Sequence, residues 1–199
     1  KTTITDGNYK IIFLPAVAYK KNISFARIKH NRLLAKNFTR YAEKEVTKPD
    51  IIVSCVPTLE LAEAGVNFGI EYDIPVVTDF EDIWPDVYLM GLPSLFKNKL
   101  NFILFFENLR LKRILSKSRA WVTISNSYLN WVKEKATLPN SKDSNVFPLG
   151  YPTNELNSPN FSESRINEIM SKFQMDRENF IVLFIGQLEK SYDIETVIS

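Results

Sequence analysis

Pro49-Asp-Ile-Ile-Val-Ser54 is a short apolar run, bounded after Val56 by Pro57, and reads as a buried strand. Thr58 or its neighbour can cap the helix that follows, Leu59 to about Tyr72, whose Ala62, Ala64, Gly65 and Gly69 allow close packing. Asp73-Ile74-Pro75 punctuates, and Val76-Val77-Thr78 is the next strand. Strand, helix and strand in so few residues form a βαβ unit, which predicts a parallel sheet.

The same alternation extends in both directions. Upstream, Tyr9-Lys-Ile-Ile-Phe-Leu-Pro15 reads as a first strand stopped by proline. A helix then runs roughly from Ser24 to Lys44, with Phe25, Ile28, Ala35, Phe38 and Ala42 as its apolar face and a basic face opposite. Downstream, Ser94 to Ser118 reads as one long helix, Arg119 to Ser125 as a strand, Ser127 to Ala136 as a helix and Asn145 to Leu149 as a last short strand. The expected fold class is α/β, Rossmann-like, a mainly parallel sheet with helices on both faces. Right-handed crossovers would gather the loops of interest on one edge.

After this first domain, residues 1–152, the stretch 153–164 has the Asn, Ser, Glu and Pro composition of a linker. Residues 165–199 read as the start of a second domain: a helix to about Phe173, then Asn179-Phe-Ile-Val-Leu-Phe-Ile-Gly186 as a fresh buried strand. Lys1 is not a methionine and Ser199 falls within what reads as a helix, so both ends read as cut.

With 45% hydrophobic and 24% charged residues the composition is that of an ordinary globular protein. The net charge of +2 gives no argument for a nucleic-acid partner. Cys55, the only cysteine, excludes an intrachain disulfide and reads as a small buried hydrophobe in a reducing compartment. No run approaches the ~18 apolar residues of a membrane span. His30 is the only histidine, so no Ser-His-Asp set can be assembled.

The richest chemistry lies in Pro75-Val-Val-Thr-Asp-Phe-Glu-Asp-Ile-Trp-Pro-Asp86. Four carboxylates (Asp79, Glu81, Asp82, Asp86) follow a strand, with Phe80 and Trp84 as an aromatic wall. Ligands of open α/β sheets bind at the carboxyl ends of strands, and such a cluster suits a polar, uncharged or weakly basic ligand, a description that a sugar fits. Neighbouring carboxylates also raise one another's pKa, which would prepare one as a general base. No histidine accompanies them, so a metal is not expected. Neither a dinucleotide nor a P-loop glycine pattern occurs. The turn Gly186-Gln-Leu-Glu-Lys190 is the best remaining place for a phosphate. Lys97, Lys99, Arg110, Lys112, Arg113, Lys117 and Arg119 face Glu107 alone in the long helix, and Lys20 to Arg40 is a second basic stretch. These read either as core helices with solvated basic faces or as interfacial membrane segments.

Four stretches resemble the family 4 glycosyltransferases of two-domain GT-B architecture that serve bacterial capsule, exopolysaccharide and O-antigen assembly. They are Lys48 to Thr58, Ile74 to Asp86, Val122-Thr-Ile-Ser-Asn-Ser127 and Phe184 to Val197. The resemblance implies retaining transfer of a sugar from a nucleotide-sugar donor to a glycan or lipid-linked acceptor, with no separate cofactor. It implies Asp82 and Glu81 at the reaction centre, with Trp84, Ser125, Asn126 and Gly150 on the substrate. Gly186 and Lys190 would hold the donor's phosphates. It further implies a cytoplasmic enzyme, peripheral to the inner membrane face where the acceptor is lipid-linked. The family's first glycine-rich loop and its paired donor-binding glutamates are not present, so this stretch alone is expected to transfer nothing. The alternative is a non-catalytic α/β domain that binds a ligand or partner. An epimerase of related architecture fits poorly, since its acids and histidine would be placed differently.

Overall fold

The computed structural model describes residues 2–21, 24–45, 47–89, 104–136, 142–150, 162–186 and 196. The chain divides into two compact units, Lys1–Pro148 and Leu149–Ser199.

The first unit is built on a parallel four-stranded sheet in the order β3 (Ile52–Val56), β4 (Val76–Phe80), β5 (Ala120–Thr123), β6 (Asp143–Val146). Helices α1 (Phe25–Ala42), α2 (Leu59–Tyr72), α3 (Phe105–Lys117) and α4 (Asn126–Lys135) accompany it. The protein is thus α/β, a parallel sheet flanked by helices in the Rossmann-like manner. Register places Ser54 beside Thr78, Thr78 beside Trp121 and Val56 beside Phe80. These inward residues meet Leu59, Ala62 and Val66 of α2, Leu111, Ile114 and Leu115 of α3 and Val132 of α4 in one core. Phe80, Trp121 and Leu115 are fully buried there, and each large apolar side chain so removed from water contributes about 1.5–3 kcal/mol.

Close approach of α2 to the sheet depends on its glycines. A Cβ on Gly65 would meet Ser54 Oγ at 3.0 Å, and one on Gly69 would overlap Val76 and come within 2.8 Å of the Ile74 carbonyl. Asp73 ends α2 in the left-handed region at φ 55°, and the Ile74 amide turns back to donate to Gly69 O at 2.7 Å. On the same face, Thr78 Oγ1 and Ser118 Oγ share a buried hydrogen bond of 2.6 Å. Lys142 caps the end of α3 by donating to the carbonyls of Leu115, Ser116 and Ser118.

Three expectations about the first unit are corrected. Tyr9–Phe13 (β2) is not a strand of the parallel sheet: it pairs antiparallel with β1 (Thr2–Asp6) in a separate hairpin around Gly7, whose φ of +54° suits such a turn. On α1, Phe25 is 91% and Ile28 41% exposed, while Leu33, Leu34 and Phe38 face inward. At 3.6 residues per turn, Phe25 and Ile28 lie on the basic side with Lys29 and Arg32. Cys55 is exposed, because strand alternation turns it away from the helices that cover Ser54 and Val56. The long helix is described only as Phe105–Lys117; its expected first part falls in 90–103, outside the described residues.

In the second unit, α5 (Glu163–Lys172) is capped by Ser162. Phe180–Ile185 is not the expected buried strand. It has no regular secondary structure and stays exposed, since no described segment of the unit pairs with it. The helix expected after Gly186 lies outside the described residues apart from Thr196.

Candidate functional site at the carboxyl edge of the sheet

Strands β4 and β5 are hydrogen-bonded neighbours, so the segments leaving their carboxyl ends start side by side. After β4 come Glu81, Asp82 and Trp84, then a 3-10 turn over Asp86–Leu89. After β5 come Ser125 and Asn126, which open α4. Five of the expected site residues therefore share one edge of the sheet. Gly150 and Gly186 belong to the second unit, and Lys190 lies outside the described residues.

The four acids do not form one cluster. Asp79 still belongs to β4 and points, with Glu81 two residues on, to the side away from the core. Its register partner is Cys55, and the Sγ and carboxylate oxygens of Cys55, Asp79 and Glu81 all lie within 4.8 Å of one another. Burial and then the charge of Glu81 raise the pKa of Asp79; burial, Asp79 and Glu81 raise that of the Cys55 thiol. The trio has three donor atoms for a small divalent ion. A thiol held protonated opposes that use, because metals bind the thiolate.

Asp82 is half-buried, and its Oδ1 accepts the Ile83 amide at 2.8 Å, which fixes the carboxylate against its own backbone. The other oxygen accepts no hydrogen bond from the described residues. Asp86 is a structural acid: its Oδ2 accepts Trp131 Nε1 at 3.0 Å and Lys135 Nζ at 2.6 Å. Those bonds fasten the 3-10 turn after β4 to α4 after β5.

Phe80 is not part of an aromatic wall. It is fully buried, because it is the last inward residue of β4. Trp84, joined to Pro85 by a cis peptide bond, is half-buried against the core. Arg27 of α1 lies over its ring at 5.2 Å, and Tyr88 meets it edge-on at 4.4 Å. The pKa of Tyr88 is raised, by burial first and then by the charges of Glu107 and Glu60, against the opposing charge of Arg27. Ser125 Oγ accepts the Tyr128 amide at 3.3 Å and is the N-cap of α4, while Asn126 is exposed at the first helical position.

Sequence reasoning missed the pairing of Cys55 with Asp79, although strand parity counted from Ser54 would have found it. It also missed Arg27 and Tyr88, whose approach to Trp84 depends on how α1 packs and leaves no mark in local pattern. A second acid-rich site was equally invisible. Arg110 donates to Glu63 at 2.7 Å and Glu107 at 2.8 Å, with Glu60 at 3.8 Å, and Arg113 joins Glu63 at 2.6 Å. Burial opposes the charge on Arg110, and the three glutamates outweigh it to raise the pKa.

The arrangement offers a carboxylate with one oxygen fixed by a backbone amide, a half-buried indole two residues on, and a helix N-terminus after the neighbouring strand. Among the described residues no helix is long and apolar enough to cross a membrane. No protein-family model and no curated protein matches the chain.

Proposed function

We propose that the full-length protein is a retaining glycosyltransferase, moving a sugar from a nucleotide-sugar donor to a hydroxyl of a glycan or lipid-linked acceptor in surface-polysaccharide assembly. The observation that carries this reading is Asp82. It sits at the carboxyl edge of a parallel sheet, held by the Ile83 amide at 2.8 Å, and its second oxygen accepts no hydrogen bond from the described residues. An acid so placed accepts the hydroxyl of a sugar at the reaction centre. Trp84 offers the apolar face on which a pyranose ring stacks, and the edge of α4 at Ser125 and Asn126 supplies backbone N–H groups to a polar ligand. Glu81 is the second acid within reach of that edge. Gly150, Gly186 and Lys190 are assigned to the donor side by the motif resemblance.

The test is to incubate the full-length protein with a panel of nucleotide sugars and candidate lipid-linked acceptors, and to read product by mass spectrometry and anomeric configuration by NMR. Transfer with the donor's configuration retained supports the reading. Binding of sugars without any transfer, across the whole panel, would favour a non-catalytic binding domain instead.

A further inference from the structure

Helices α1 and α2 run side by side in the same direction. Asn31 of α1 donates to Glu60 of α2 at 3.3 Å, and further along Phe38 meets Phe68 edge-on at 6.2 Å. Each helix puts an alanine, Ala35 and Ala64, on the groove between them, and a cavity of about 320 Å³ remains there. That volume is at the lower end of the range for small-molecule sites.

The two walls carry opposite charge. Arg32 and Lys36 stand one turn apart on α1, and Glu60, Glu63 and Glu71 come from α2. Glu60, Glu63 and Glu107 share the two guanidinium groups of Arg110 and Arg113, so that network keeps one negative charge in excess. Glu71 adds a second. Arg32 and Lys36 supply two positive charges, so the groove as a whole is balanced. Yet Arg32, Lys36 and Glu71 make no ion pair with another described residue. The opposite charges line one cavity without meeting.

Such a groove selects by charge. A lone anion at Arg32 and Lys36 is repelled by the glutamate wall, and a lone cation at Glu71 is repelled by α1. A molecule of both signs gains at each end and leaves the balance intact. Spacing narrows the choice. With Asn31 beside Glu60 and Phe38 beside Phe68, Lys36 is level with Val66, so Glu71 lies roughly 7 Å further along the groove. A short aliphatic spacer joins an anion to an ammonium group over such a distance.

We propose that the groove between α1 and α2 binds a small zwitterion, a carboxylate or phosphate joined by a short aliphatic chain to an ammonium group. Arg32 and Lys36 hold the anion, and Glu71 holds the ammonium. The groove shares no lining residue with the carboxyl-edge site, so the inference stands whether or not the protein transfers sugar.

The experiment is isothermal titration calorimetry of the full-length protein at low salt. The probes are two zwitterions, γ-aminobutyrate and phosphoethanolamine, with butyrate, inorganic phosphate and butylamine as single-charge controls. Saturable binding is expected with at least one zwitterion, and the controls should bind at least about tenfold more weakly. The tighter zwitterion identifies the anion as carboxylate or phosphate. Lys36→Met and Glu71→Gln should each weaken binding about tenfold, the loss of one charge-assisted contact. In Glu71→Lys the preference should reverse, with inorganic phosphate binding tighter than phosphoethanolamine. These positions are exposed, and an unchanged circular dichroism spectrum checks that the variants fold. Absence of saturable binding by both zwitterions overturns the proposal, as does equal binding of the controls. Undiminished binding by Lys36→Met and Glu71→Gln overturns it too.

Discussion

Trp131 donates its indole N–H to Asp86 at 3.0 Å, and this bond ties the loop after β4 to the helix after β5. Asp86 Oδ1 is buried without a hydrogen-bond partner, so Oδ2 carries the whole attachment together with Lys135. Trp131→Phe keeps the ring's packing and removes the donor. It should lower stability by about 1–3 kcal/mol in a denaturant titration. Lys135→Met should add to that loss less than additively, because the two donors share one oxygen.

The Arg110 cluster makes a different prediction. Arg110→Met leaves Glu60, Glu63 and Glu107 facing one another with only Arg113 as counter-charge. Removing one partner of a fully buried pair costs about 3–5 kcal/mol, and the partial exposure here reduces this to about 2–3 kcal/mol. Denaturant titration of the variant against the wild type at neutral pH reads the deficit directly.

Asp79 should make stability fall as pH rises. Its carboxyl pKa is raised in the fold by burial and by Glu81, so the folded state holds a proton that the unfolded chain has released. Stability therefore decreases with pH from the ordinary aspartate value up to the raised one, and the cost persists above it. Asp79→Asn should remove that slope and make the protein more stable at neutral pH.

Cys55 is exposed, yet burial of its thiol and the charges of Asp79 and Glu81 raise its pKa. Alkylation by iodoacetamide should be slower at neutral pH than for a free thiol, with its rise displaced to higher pH. Asp79→Asn combined with Glu81→Gln should speed it.

Much of the first unit was legible because its signals were local. The run Ile52–Val56, the glycines and alanines of α2 and the proline before β4 each fix an element without reference to distant parts of the chain. Where α1 buries its side chains was not legible, because a spacing of threes and fours fits several arcs of one helix. The packing of Phe38 against Phe68 of α2 chose among them. Phe80 shows the same limit at a strand end: two residues of extra strand turned a presumed wall of the site into core. The hairpin did carry a signal, the two-residue Gly7-Asn8 loop between β-rich runs, but its first strand is polar and exposed and shows no apolar alternation. Phe180–Ile185 has strand composition, yet no described strand forms a ladder with it, which composition cannot reveal. At the site, the position of Asp82 was legible from Asp-Ile-Trp-Pro, whereas the division of its neighbours between Cys55 and Trp131 depended on register and tertiary contact.

The central claim is that Asp82 serves sugar transfer at the carboxyl edge. The most direct measurement is the transfer rate of the full-length protein against that of Asp82→Asn, with the donor and acceptor that give the highest wild-type rate. The variant keeps an oxygen for the Ile83 amide, so folding and donor binding should persist while transfer falls by about 10²–10⁴-fold. An Asp82→Asn protein that transfers sugar at the wild-type rate would contradict the account.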